Sequence, residues 1–267
     1  MGKIDTTLAR MKGPSSESAA LSASAAQIRR RTAELPDLTQ YPALALDERR
    51  LERNRIIGFS DLTTTALSAY RMIRTRLLQS MRSNGWRTLA ISSAGMGEGK
   101  SLTAINLALS ISREGNQNVF LVDLDMRRPS IAHYLDVSPP HGVQDYFEGL
   151  IEPPSIFFRI GPPGLAIAAA TESRDSSSEL LSSERLPQLI DYVFAQDPNA
   201  VLLFDMPPLL LADDVLAVAP RVDGILLVAT EGKTKRSDLA TAAGLVEQFG
   251  LAGIVLNQSA ETVAHYY

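Results

Sequence analysis

From Ser92 to Ser101 the chain reads Ser-Ser-Ala-Gly-Met-Gly-Glu-Gly-Lys-Ser. Glycines at 95, 97 and 99 let a backbone curl until successive N–H groups face phosphate oxygens, and a following helix adds the partial positive charge of its N-terminus. Lys100 would then reach the terminal phosphates of a nucleoside triphosphate, and Ser101 would ligate Mg2+. The usual spacing is G-x-x-x-x-G-K-[ST], and Ala94 stands at the first glycine, where a small residue still permits a tight turn. A glycine-rich turn that only joins a strand to a helix is the plainer alternative. The apolar run Thr88 to Ile91 predicts a buried strand, and Leu102 to Arg113 predicts the helix after it, which is the context a phosphate loop needs.

Two more apolar runs end in carboxylates. Val119 to Val122 leads into Asp123-Leu124-Asp125-Met126-Arg127-Arg128-Pro129, and Ala200 to Phe204 leads into Asp205-Met206-Pro207-Pro208. Carboxylates at the carboxyl ends of parallel strands lie beside the phosphate loop of a doubly wound sheet. Mg2+ takes few protein oxygens and keeps several waters, so Asp125 and Asp205 are expected to act through water while Ser101 binds directly. A single aspartate after a strand is commonly a helix cap or turn former. Three such residues in a chain with a phosphate loop point to a metal–nucleotide site.

Through these motifs the chain resembles the bacterial tyrosine kinases, ATP-dependent autokinases of capsule and exopolysaccharide loci and distant kin of the cell-division and partition ATPases. The likeness runs from about residue 46 to 267. Gly97-Glu98-Gly99-Lys100-Ser101 looks like the family's Walker A. The Asp123 to Pro129 stretch looks like its distinctive second acidic motif, Asp205-Met206-Pro207-Pro208 like its Walker B, and Ser176 to Leu181 like a segment carried between them. The resemblance implies ATP held by Gly95, Met96, Gly97, Glu98, Gly99, Lys100, Ser101 and Leu102, with Lys100, Asp123, Asp125 and Asp205 as the catalytic set. It also implies phosphorylation of a C-terminal tyrosine cluster, and two of the seven tyrosines, Tyr266 and Tyr267, end the chain. A disordered terminus without a role is the other reading of that tail.

A phenol with a pKa near 10 is a weak nucleophile at neutral pH, so a carboxylate that takes its proton is useful, and Asp123 is the candidate. Arg127 or Arg128 would stabilise charge on the transferring phosphate, or else both are surface arginines at a helix start. Asn257 closes the last apolar run, where relatives use an amide to read adenine; a turn-forming asparagine is equally compatible. The resemblance further implies a separate transmembrane co-polymerase whose cytoplasmic tail activates the kinase, hence a cytoplasmic protein held at the inner face of the membrane only through that partner. Three features depart from the family pattern. Ser68 replaces the glutamate of Glu-x-x-Arg-x-x-Arg ahead of Arg71 and Arg74, which implies weaker self-association into a homo-oligomer. Met96 replaces a common proline, and the tyrosine tail is short. The alternative from another class is an ATP switch like the partition ATPases, but that group places a second lysine where Gly95 stands.

Composition narrows the field. With 45% hydrophobic residues among 267, the chain can bury one substantial core. It has no cysteine, which removes disulfides and cysteine-ligated zinc or iron–sulfur clusters. A net charge of −4 argues against nucleic acid as a partner. Residues 1–56 nevertheless carry +3 and the remainder −7, so Arg29-Arg30-Arg31 and Arg49-Arg50 would either touch an anionic surface or sit solvated on a flexible arm. The three histidines show no metal-ligand spacing and no acidic partner at helical distance, and no signal peptide or membrane-spanning run is visible.

The expected fold class is α/β: one doubly wound, mostly parallel sheet of six to eight strands with helices on both faces, preceded by a flexible extension. Residues 1–45, rich in Ser, Ala and Pro, would form that extension, 46–258 the phosphate-loop domain, and 259–267 the tail. Leu67, Tyr70, Ile73, Leu77 and Leu78 predict a helix before the first strand. Further helices are expected near 130–135, 179–195 and 237–249, and further strands at 165–170, 224–230 and 253–256.

Overall fold

The computed structural model describes residues 35–57, 64–161, 163–175 and 177–259; the two terminal tyrosines and the first 34 residues lie outside this set. From Pro36 on, the described residues belong to one compact unit. Its centre is a seven-stranded sheet in the order β3-β4-β2-β5-β1-β6-β7. The strands are β1 (Thr88–Ser93), β2 (Val119–Asp123), β3 (Phe157–Arg159), β4 (Leu165–Ala168), β5 (Val201–Asp205), β6 (Gly224–Thr230) and β7 (Leu251–Asn257). All neighbours pair parallel except β3 with β4. The helices are α1 (Glu48–Arg53), α2 (Thr64–Asn84), α3 (Lys100–Ser112), α4 (Ile131–Leu135), α5 (Val143–Phe147), α6 (Ser177–Leu181), α7 (Arg185–Gln196), α8 (Asp214–Val218) and α9 (Arg236–Val246).

The central strands are apolar throughout because both of their faces are covered, as parallel sheets require. Alternation along each strand sends side chains to opposite layers. Ala90, Phe120, Val122, Leu202, Phe204, Ile225 and Leu227 join one core with Leu186, Leu189 and Val193 of α7 and Val246 of α9. Leu89, Ile91, Val119, Leu121, Val201, Leu203, Leu226 and Val228 join the other, with α3 and with Leu77, Leu78 and Met81 of α2. The predicted architecture is therefore present, with a strand count inside the expected range.

Where local boundaries differ, the causes are identifiable. The expected helix 179–195 is two helices. Pro187 has no N–H to offer, and its ring would clash with the carbonyl of Ser183, so the chain restarts at Arg185 with the proline in the first turn. Four short elements carried too little periodicity to be predicted: α1, capped by the Asp47 carboxylate on the N–H groups of Arg49 and Arg50, α5, α8 and β3.

The flexible extension expected to reach residue 45 is corrected at its end. Residues 42–44 lie along β3, where Arg159 N donates to Pro42 O at 2.8 Å and Leu44 N to Arg159 O at 3.0 Å. Leu38 and Tyr41 are buried, with the Tyr41 ring 5.4 Å from Phe157 and 6.1 Å edge-on from Phe120. The Tyr41 hydroxyl meets that of Tyr192 on α7 at 2.9 Å. An aromatic anchor thus overrides a polar local composition. Tyr41→Ala should cost about 3–5 kcal/mol of stability and Tyr41→Phe about 1 kcal/mol, measured by urea unfolding; equal, negligible losses would mean that the segment is not docked in solution.

Candidate nucleotide site

All six parallel strands end on the same side of the sheet, and the polar groups collect there. The loop after β1 turns through Gly97 (φ 67°) and Gly99 (φ 86°), both left-handed, so of the three glycines only these two need their freedom. α3 then begins at Lys100, putting its N-terminus and the Ser101 hydroxyl at the loop's floor. Asp123 and Asp205 are register partners on β2 and β5, which fixes two carboxylates side by side beneath the loop.

Lys100 reaches across to them. Its Nζ stands 2.6 Å from Asp125 Oδ2, 3.1 Å from Ser101 Oγ and 3.6 Å from Asp205 Oδ1. Burial alone would lower the lysine pKa, but the Asp205 and Asp125 charges outweigh it and hold the group cationic. Asp205 is wholly buried, and neither of its oxygens has a hydrogen-bond partner, the lysine being beyond that distance. Burial pushes its pKa up to about 6 against the pull of Lys100.

The pocket has two walls. Met96, Gly97, Gly99, Lys100 and Ser101 form one, and Asp125, Arg128, Ser130, Tyr134 and Pro208 the other. Among the described residues no three His, Cys, Asp or Glu side chains converge as a ready metal cage. A hard cation carried with phosphates needs only one or two carboxylates, and the Asp205 oxygens, which accept no hydrogen bond, form such a donor set with Ser101 and Asp125. The residues therefore fit Mg2+.

Several expected residues have other partners. Asp123 lies below the pocket rather than in its lining: its Oδ1 accepts from Asp125 N at 3.1 Å, and its Oδ2 from Ser130 N at 3.3 Å and Ile131 N at 3.2 Å. Burial and the neighbouring Asp205 hold its pKa well above the usual carboxylate range. It shapes the acidic loop and the start of α4, and three backbone N–H groups already bond to its carboxylate. Arg127 is turned away as well, with Nε 2.9 Å from the buried Asp214 and NH2 3.2 Å from Asp213. Of the two arginines only Arg128 faces the pocket, its NH1 2.9 Å from Met96 Sδ.

Glu98 turns inward, accepting from Gly95 N at 3.2 Å and from the Thr234 hydroxyl at 2.7 Å. Leu102 is half-buried and packs on the second core, so its side chain supports α3. Asn257 Nδ2 donates to Glu98 O at 3.1 Å, and its Oδ1 accepts from Gln258 N at 2.9 Å, so each end of the amide serves the chain itself. His141 does have an acidic partner, Asp145 one turn on, at 3.9 Å. Sequence reasoning missed Ser130, Tyr134 and the β6–α9 loop. For that loop a signal existed, since Thr230 is a polar end to an apolar strand, as Asp205 is.

A phosphate loop between a central parallel strand and its helix, with carboxylates on the neighbouring strand ends, defines a P-loop nucleotide-binding protein. The family model described as ParA, NUBPL iron-transfer P-loop NTPase, matches residues 86–266, and the chain belongs to that family. Iron–sulfur ligation by cysteine is closed to a chain without cysteine. Its relatives include bacterial tyrosine kinases, as the motifs implied. Tyrosine-protein kinase etk of Escherichia coli K12 is 29% identical over 195 residues, 72% of this chain and 26% of that protein, so the chain spans about a quarter of that relative's length. Tyrosine-protein kinase CpsD of Streptococcus agalactiae serotype Ia is 29% identical over 200 residues, 74% of this chain and 84% of that one. The crystal structure of the VpsO kinase domain superposes with a TM-score of 0.64 at 27% identity, covering 72% of this chain and 95% of that one. No described helix is long and apolar enough to cross a membrane.

Because the folded-state pKa of Asp205 lies above its unfolded value of 3.8, the native state binds more protons between that value and about 6. Stability should therefore fall as pH rises through this window. In chelator-treated protein Asp205→Asn should raise stability by about 3 kcal/mol above pH 6, with the gain vanishing near pH 4. The variant should also lose the thermal shift that MgATP gives the wild type. Denaturant titrations across pH test the first point, and a less stable variant at pH 8 would contradict it.

Proposed function

We propose that the chain is an ATP- and Mg2+-dependent protein-tyrosine autokinase that phosphorylates Tyr266 and Tyr267. The observation carrying this reading is the Lys100 ammonium set between Asp125 and Asp205 at the phosphate loop, in a pocket whose second wall is the acidic motif after β2. The similarity to CpsD over most of that protein's length supports it.

The roles follow from position. Lys100 and the loop amides hold the triphosphate, Ser101 and Asp205 face the cation, and Arg128 stands where charge would spread on the transferring phosphate. Mg2+, when bound, neutralises phosphate charge. The acceptor phenol oxygen bonds to the terminal phosphorus as the bond to the bridging oxygen breaks and ADP leaves. Asp125 is the pocket carboxylate that takes the phenol proton, in place of Asp123. The nine residues after Gln258 then form the acceptor tail, beginning beside the loop because β7 ends there.

On this reading the phosphorylation cycle regulates exopolysaccharide or capsule polymerisation and export. The activator is the cytoplasmic tail of a separate transmembrane co-polymerase, which holds the kinase at the inner face of the membrane. Self-association is weak: Ser68 lacks the family's carboxylate, and Arg74 is engaged within the chain by Ser110 O at 3.0 Å and Glu114 at 3.6 Å. Light scattering at micromolar concentration should show no stable ring, and a ring of about eight subunits would refute this point. The ParA-family match favours a second reading, an ATP-driven assembly switch without phosphate transfer.

Peptide mass spectrometry after incubation with MgATP, with and without the tail of a candidate partner, separates the two. Phosphate on Tyr266 or Tyr267 is expected in the wild type, absent in Lys100→Ala and slowed about 100-fold or more in Arg128→Ala. ATP turnover with no phosphotyrosine in either condition would transfer the assignment to the switch.

A further inference from the structure

The two sides of β1 differ in chemistry. Toward β5 and β2 the strand ends carry Asp205, Asp123 and Asp125; toward β6 and β7 they carry Thr230, Lys233 and Asn257. A nucleoside triphosphate has one charged end and one nearly neutral end. Its terminal phosphate and cation belong with Lys100 and the carboxylates, so its base must leave the loop on the β6–β7 side.

That side is built. Thr230 Oγ1 donates to Glu98 O at 3.0 Å, and Thr234 Oγ1 accepts from Thr230 N at 2.8 Å while donating to the Glu98 carboxylate. These bonds fix the turn between β6 and α9 against the phosphate loop. From this turn Lys233, an exposed residue, folds back so that its Nζ donates to Gly97 O at 2.9 Å. The fit is close: a Cβ on Gly97 would come within 2.6 Å of that nitrogen. An exposed ammonium can be fully hydrated, so a solvated lysine has no need of this carbonyl. Held at its tip against Gly97, the side chain has a methylene stem to offer beside the loop, an apolar strip with a cation at one end.

Resting on the nucleotide-site reading above, we propose that Lys233 is the nucleobase and ribose contact of this site, a shelf on which a purine lies, and that Asn257 is not the base reader. The Asn257 amide already serves Glu98 O and Gln258 N, and Gly99 passes so near that a Cβ there would sit 2.1 Å from Nδ2. A flat aromatic base covers the stem, and the ammonium bridges the loop carbonyl and the polar edge of the nucleoside.

The test is calorimetric binding of MgATP, MgADP and magnesium tripolyphosphate, which has the phosphates without the nucleoside. Lys233→Ala should weaken MgATP and MgADP about tenfold and leave tripolyphosphate within about twofold. Lys233→Met, which keeps the stem and loses the ammonium, should fall between, and Lys100→Ala should weaken all three. Equal weakening of tripolyphosphate and ATP by Lys233→Ala would make the lysine a staple of the phosphate loop and overturn the proposal, as would no change in any ligand. Should Lys233→Ala fail to fold, the Met variant carries the same comparison. Wild-type protein that binds none of the three defeats the nucleotide-site reading and this proposal together. The expected pattern in a protein that makes no phosphotyrosine leaves this proposal standing and removes only the kinase.

Discussion

Lys100 sits among more negative charge than it can balance, and much of the surrounding structure exists to tolerate that. Parallel strands end on one side of a sheet, so β2 and β5 deliver Asp123, Asp125 and Asp205 to the same few ångströms, with Asp123 and Asp205 directly opposite each other. One ammonium faces them. Taking such groups out of water costs several kcal/mol each after relaxation, and the mutual attraction recovers this only with good geometry and further hydrogen bonds. Asp125 has both, Asp123 has backbone N–H groups instead of a cation, and Asp205 has only Lys100 at 3.6 Å. A divalent cation with phosphates would relieve what the fold leaves unbalanced at Asp205, so the cost in the free protein and the affinity for the ligand have one origin.

The same constraint explains why the phosphate loop is tied down from behind. A loop whose amides must mostly stay aimed at phosphate has few to spend on itself, and its glycines give it no side-chain packing. Glu98 supplies the anchor by turning into the protein, where Thr230, Thr234, Asn257 and its own Gly95 N–H all bond to it. The acidic side of β1 thereby carries the charge, and the β6–β7 side carries the mechanical support.

Legibility in the sequence divides along the same line. Strands buried on both faces announce themselves as apolar runs, and residues at their carboxyl ends follow directly, which is why Asp123, Asp125 and Asp205 could be placed near the Lys100-Ser101 loop from spacing. What the spacing could not convey is direction. Asp123 and Asp125 are alternate residues at a strand exit, and only the N-terminus of α4, rising under Asp123, decides which one reaches the pocket. Arg127 and Arg128 are adjacent, and the buried Asp214, 87 positions away, claims the first. Tyr41 lies in a stretch of loop-like composition and is held by Phe157 and Tyr192 from elements far along the chain. The Arg127 and Tyr41 contacts join segments remote in sequence, and the Asp123 contact is a turn seven and eight residues long; none has a local period.

Within one family scaffold, a switch and a kinase differ in what faces the terminal phosphate. The second lysine that the partition ATPases carry near the start of the phosphate loop has Gly95 in its place in this chain. The charge on the far wall comes from the chain's own Arg128, set on the acidic loop by the Asp125 carboxylate accepting its backbone N–H at 3.0 Å. The cation and the carboxylate of the wall therefore share one turn, and Asp125 also joins that turn to Lys100 at 2.6 Å. Arg127, locked to Asp214 at the start of α8, ties the same turn to the segment that follows Asp205.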